Sequence, residues 1–160
     1  MDSEQETQAP AATEGDQPSN ESESSAENAL EYSELTVEVL KENAISTLVE
    51  NGVNKDHIIQ RIVPGAFELP VAAKNLCPDV DAVLALGAII KGETPHFDYI
   101  SQACSMGLMQ ASLETSKPVL FGGLTTENEK QAIDRASPQK ENKGKERALS
   151  ALQMGELLRK

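Results

Sequence analysis

Two histidines occur in 160 residues, and one of them, His96, stands where a strand gives way to a helix. The block reads "GAIIKGETPHFDYISQ" from Gly87 to Gln102. Val83–Ile90 is a continuous apolar run, as in a strand buried on both faces. From Phe97 the apolar residues recur at helical spacing. Between the two, Gly92 permits close backbone approach, and the amides near Glu93 and Thr94 face the positive end of the following helix. Such a turn favours a bound phosphate by roughly 1–2 kcal/mol before any charged side chain contributes. Imidazole is the side chain that exchanges a proton near neutral pH, so His96 suits a general acid or base. The plainer alternative is a strand-to-helix connection with a surface histidine at its cap.

Two other strand ends carry distinctive residues. "VPGAFELP" (Val63–Pro70) forces a tight turn at Pro64-Gly65 and presents Ala66, Phe67 and Glu68. "PVLFGGL" (Pro118–Leu124) reads as a strand with Phe121 followed by a Gly122-Gly123 turn. In an open parallel sheet, ligands collect beyond the carboxyl ends of strands. Arg135 and the "NKGK" run (Asn142–Lys145) add cations, each with a bland alternative as a helix-dipole partner or a solvated helix entry. His57, between a lysine–aspartate pair and a strand, reads as a solvated loop residue.

The elements that must position these residues follow from periodicity. Val37, Leu40, Ala44 and Leu48 have helical spacing over about 34–51, with Gly52 as the stop. "HIIQRIV" (His57–Val63) reads as a strand, and 68–76 as a short helix. A helix over 97–116 puts Ile100, Cys104, Leu108 and Ala111 on one stripe. Thr126 is placed to cap a helix over 127–136, and a last helix covers about 145–158. Alternating strands and helices predict an α/β domain with a mainly parallel sheet and helices on both faces.

The totals narrow the class. The formal charge is −12, yet residues 1–34 hold ten of the 26 acids and no lysine or arginine. The body is therefore nearly neutral and lacks the basic face of a nucleic-acid binder. Residues 1–28 are poor in apolar types and read as a disordered acidic tail, leaving 29–160 as the domain. Cys77 and Cys104 lie far apart without nearby histidine, which suggests free thiols in a reducing compartment. No apolar run approaches a membrane span, and the N-terminus has no secretory or transit layout. The expectation is a cytoplasmic protein without a membrane or nucleic-acid partner.

In this order, "VPGAFELP", "GAIIKGETPHFDYI", "PVLFGGLTTEN", "QAIDRA" and "NKG" resemble the 6,7-dimethyl-8-ribityllumazine synthase family of riboflavin biosynthesis, over about 34–160. The resemblance implies a three-layer α/β/α sandwich with a flavodoxin-like sheet. It implies condensation of 5-amino-6-(ribitylamino)uracil with 3,4-dihydroxy-2-butanone 4-phosphate, with no metal or organic cofactor. It also implies homo-oligomers, either pentamers or shells of twelve pentamers. His96 becomes the proton-transfer residue, and Glu93, Thr94, Arg135 and Lys143 the phosphate site. Ala66, Phe67, Glu68, Ala88, Ile89 and Ile90 line the pyrimidine and ribityl pocket, joined by Phe121 from a neighbouring subunit.

Two stretches depart from the family pattern. The family opens on a buried strand ending in Arg-aromatic-Asn, whose ring stacks on the pyrimidine. Ungapped counting puts Tyr32 at the aromatic position and Ser33 at the asparagine, but "SAENALE" (Ser25–Glu31) is not a strand by any pattern test. The first strand is therefore missing or replaced, which leaves an apolar slot and unpaired amides on its neighbours. In "RASPQKENKG" (Arg135–Gly144), Ser137 and Glu141 stand where the family has glycine. Beside the enzyme, two readings stay open: an assembling scaffold subunit with weak or no catalysis, and a binding module for flavin-like heterocycles.

Overall fold

The computed structural model describes residues 20–159, with side chains from Ser33 onward. Among the described residues, five α-helices and two strands follow in the order α1 (Asn20–Glu50), α2 (Leu69–Leu76), β1 (Val83–Ile90), α3 (His96–Thr115), β2 (Val119–Thr126), α4 (Glu129–Ala136) and α5 (Lys143–Leu157). β1 and β2 pair in parallel, from Val83 opposite Val119 to Ile90 opposite Thr126. The ladder is carried one step further by the Lys91 amide, which donates to the Thr126 carbonyl at 2.9 Å.

Helices cover both faces of this pair, because both strands are apolar on both faces. Alternate residues of β1 serve opposite layers. Val83, Ala85 and Ile89 pack with Ala73, Cys77, Cys104 and Leu108 of the α2–α3 side. Leu86, Ala88 and Ile90 pack with Leu40 of α1 and with Ala132 and Ala136 of α4. The expected stripe of α3 is present, with Cys104, Leu108 and Ala111 buried. Both cysteines are buried free thiols, and burial pushes the Cys104 thiol up.

Several expectations change. α1 ends as foreseen, with Gly52 at φ 92°, but it starts at Asn20 rather than near Glu34. Of the expected tail, residues 1–19 lie outside the described residues, as does the side chain of Tyr32. The backbone of Ser25–Glu31 is helical, in accord with the absence of a strand pattern. Thr126 does not cap α4, whose cap is Asn128, accepting from the Gln131 amide at 3.0 Å. Gly122 and Gly123 are not a turn but the middle of β2. Their lack of side chains answers crowding: a β-carbon at 122 would stand 2.5 Å from Leu86 Cδ2, and one at 123 would overlap the Phe121 ring. Glycine inside a strand marks such close approach as readily as a turn.

The largest correction concerns His57–Val63. His57 closes a single helical turn, Lys55–His57, and the segment beyond it is unpaired. Among the described residues, Ile59–Val63 make no backbone–backbone hydrogen bond, and Ile62 is 99% exposed. A strand needs a neighbouring ladder, and among the described residues none lies beside it. Between this segment and β1 lies a cleft of about 1080 Å³. Val37, Ala44 and Leu48 of α1 and Ala151, Leu152 and Gly155 of α5 wall one side of it, with Leu69, Ala72 and Leu76 of α2 on the other. Flanked by two backbones and roofed by helices on both faces, it has the walls of an inner-strand position.

Candidate active site

The carboxyl end of β1 gathers the first group of residues. Ala66–Glu68 form a single turn that leads into α2. Leu69 Cδ1 fills the space over Gly87, and Pro70 sits so close to Gly107 of α3 that a β-carbon there would stand 2.8 Å away. These two contacts lock the Ala66–Glu68 turn onto β1 and α3, beside Ala88, Ile89 and Ile90. Ala88–Ile90 are half-buried, while Phe67, Glu93, Thr94 and His96 are exposed. His96 opens α3 directly after Pro95, whose carbonyl accepts from the Asp98 amide at 3.1 Å. Among the described residues, no hydrogen bond or ion pair occupies the side chains of Glu93, Thr94 or His96.

An ion pair that the sequence did not reveal fastens this loop. Lys91 Nζ reaches Glu127 Oε2 at 3.0 Å, from the residues that follow paired Ile90 and Thr126. The bond to Glu127 pushes the Lys91 ammonium up. Both groups are solvated, so the contribution to stability is small, but the pair ties the start of the candidate phosphate loop to the end of β2. Only the strand register, which neither local sequence states, would have paired them.

A second group forms around Arg135 and Lys143, placed by the last turn of α4 and the first residue of α5. Asn142 caps α5 from a left-handed conformation, φ 46°, and accepts from the Lys145 amide at 3.1 Å. α1 carries this group: Asn43 Nδ2 donates to the Ala136 carbonyl at 3.1 Å. Lys143 Nζ bonds Glu146 at 2.6 Å, and that hydrogen bond holds the Glu146 carboxyl below its ordinary value, against a smaller opposing effect of burial. Arg135 Nε is buried and has no hydrogen-bond partner. It lies 3.7 Å from Glu141 Oε2, which is also 3.8 Å from Lys143 Nζ. A guanidinium donor without a hydrogen bond, beside an ammonium, is a ready anion site.

The two groups are not joined. Among the described residues, no polar contact links Arg135 or Lys143 to Glu93, Thr94 or His96. Phe121 belongs to neither: it pairs with Ala85 near the start of β2 and packs on the α2–α3 layer. No cluster of three or more histidine, cysteine, aspartate or glutamate side chains is arranged for a metal ion among the described residues.

A profile of the family described as 6,7-dimethyl-8-ribityllumazine synthase matches residues 29–159. This chain belongs to that family. A 6,7-dimethyl-8-ribityllumazine synthase of Thermus thermophilus is 45% identical over 129 residues, 79% of this chain and 82% of the relative. The enzyme of the same name from Cytophaga hutchinsonii is 47% identical over 126 residues, 78% of this chain and 79% of the relative. The parallel strands with helices on both faces agree with a lumazine synthase fold, here with two paired strands. No described helix is long and apolar enough to cross a membrane.

Proposed function

We propose that this chain condenses 5-amino-6-(D-ribitylamino)uracil with 3,4-dihydroxy-2-butanone 4-phosphate to 6,7-dimethyl-8-ribityllumazine, releasing phosphate and water. The observation that carries the reading is the family match across 29–159. The chemistry asks for an anion site and a proton shuttle. His96, open to solvent at the mouth of α3, moves protons during imine formation and phosphate elimination. Arg135 and Lys143, with the loop amides at Glu93 and Thr94, receive the phosphate. Ala66–Glu68 and Ala88–Ile90 contact the pyrimidine and ribityl chain, with Phe121 and the ring of Tyr32.

The separation of the two groups supports a site shared between subunits. Arg135, Lys143 and Phe121 of one chain then complete the His96 site of the next, in a pentamer or a shell of pentamers. The domain of this cytoplasmic enzyme covers 29–160, behind an acidic tail. Supplying both substrates and following the product's absorbance near the visible, with phosphate release in equal amount, tests the reading. No product from an assembled protein sinks it.

A second reading is a subunit that assembles without turnover, and the cleft beside β1 favours it. Among the described residues no strand fills this position, which leaves the edge of β1 at Val83–Leu86 without a neighbour. Assembly without product in the same assay selects this alternative.

A further inference from the structure

Glu141 stands where one carboxylate oxygen addresses both cations of the candidate phosphate site, 3.7 Å from Arg135 Nε and 3.8 Å from Lys143 Nζ. Both separations exceed hydrogen-bond length, so the carboxylate supplies charge without filling the donor. Arg135 Nε accordingly remains buried and unbonded. Glu146 differs: it is bonded to Lys143 at 2.6 Å and paired with Arg147 at 3.1 Å. The backbone holds Glu141 in place, its amide donating to the Asp134 carbonyl at 3.4 Å, while the next amide, of Asn142, donates to Ser137 at 3.1 Å. Its side chain is half-exposed and free to swing into solvent.

We propose that Glu141 is an internal counter-anion, which a substrate phosphate must displace to reach Arg135 and Lys143. This rests on the reading of those two residues as the phosphate site. A dianionic phosphate brings more charge than the carboxylate and can bond the orphaned Nε directly. Displacement therefore proceeds, but against the loss of two ion pairs. The carboxylate weakens binding of every phosphate that enters, released inorganic phosphate included, and so speeds product release.

The test uses the full chain, with inorganic phosphate as the probe, measured by its inhibition constant against the butanone phosphate and by direct titration calorimetry. Glu141→Gln is expected to bind phosphate about two- to ten-fold more tightly, the range of two half-exposed ion pairs. Arg135→Ala is expected to weaken it about ten-fold or more, and to abolish most of the gain in the double variant. Glu156→Gln, at the far end of α5, controls for net charge. If Arg135→Ala weakens binding but Glu141→Gln leaves it unchanged, the counter-anion is overturned and the phosphate site stands. If Glu156→Gln tightens binding as much as Glu141→Gln, long-range charge is the cause and the proposal fails. If Arg135→Ala has no effect, both the site and the counter-anion fall.

Discussion

Gly144 lies so close to Leu40 that a β-carbon at 144 would overlap the Leu40 carbonyl oxygen and stand 3.1 Å from Asn43 Cβ. This approach of α5 to α1 fixes the direction in which Lys143 leaves the cap. With Asn43 holding the Ala136 carbonyl, one helix sets both Arg135 and Lys143. Gly144→Ala pushes α5 off a backbone atom that cannot yield. Overpacking of this kind costs about 1–3 kcal/mol, which for a domain of this size lowers Tm by about 3–10 °C. Phosphate affinity is expected to fall with it, because Lys143 moves. A variant that melts like the parent would show that α1 and α5 are not held by this contact.

Proton transfer and phosphate binding are separable by kinetics. His96→Gln is expected to lower turnover about ten- to a thousand-fold with little change in phosphate affinity. Arg135→Ala is expected to act chiefly on affinity. If sites are shared between subunits, co-assembling the two variants regenerates some sites with an intact His96 and an intact Arg135. Partial recovery of activity in verified mixed oligomers is the expected outcome. Recovery of none places both residues in one self-contained site.

The elements legible in the sequence were those whose signal is local. The apolar run of β1, the stripe Cys104–Leu108–Ala111 and the stop at Gly52 each follow from side-chain period or backbone freedom, and each is present. Pairing is not local. His57–Val63 has the composition of a strand, yet among the described residues it has no partner ladder and makes no sheet. Gly122-Gly123 looks like a turn because the contact that requires Gly122, Leu86 on the neighbouring strand, is 36 residues away. The site followed the same rule: His96, Arg135 and Lys143 stand at helix ends, whereas Phe121 lies inside β2 and not at its end. The placing of Glu127 beside Lys91 and of Glu141 between two cations depends on strand register and loop folding that no local sequence states.

Acid loosens the Lys143 end of the site. The Glu146 carboxyl lies below its ordinary value of 4.5 when folded, chiefly through its bond from Lys143. A depressed carboxyl adds stability that is complete above the unfolded value and lost as pH falls through the folded one. Glu146→Gln removes that dependence, so its denaturant midpoint is expected to fall less steeply than the parent's between about pH 5 and pH 3. The difference is small, since both partners are partly solvated. Parallel profiles for parent and variant would remove Glu146 from the acid response.

The cleft beside β1 makes the strongest prediction about stability. Its apolar walls, Val37, Leu48, Leu76 and Leu152, stand where an inner strand would be covered on both faces. Ser25–Glu31 offers no such strand: its backbone is helical and its sequence holds only Ala26, Ala29 and Leu30 as apolar residues. Replacing Ser25–Glu31 by Ile-Gly-Ile-Val-Val-Ala-Arg supplies β-branched side chains for both faces and amides for both ladders. Each buried Val or Ile contributes about 1.5–3 kcal/mol, partly offset by the helical turns given up. Tm is expected to rise, Ile59–Val63 to gain protection from amide exchange, and turnover to increase as the edge of β1 at Val83–Leu86 gains a neighbour. Protection at Ile59–Val63 is the decisive readout, since only strand pairing produces it. If those amides exchange as fast as in the parent and Tm is unmoved, the grafted segment does not enter the cleft, and the inner-strand reading of this space is wrong.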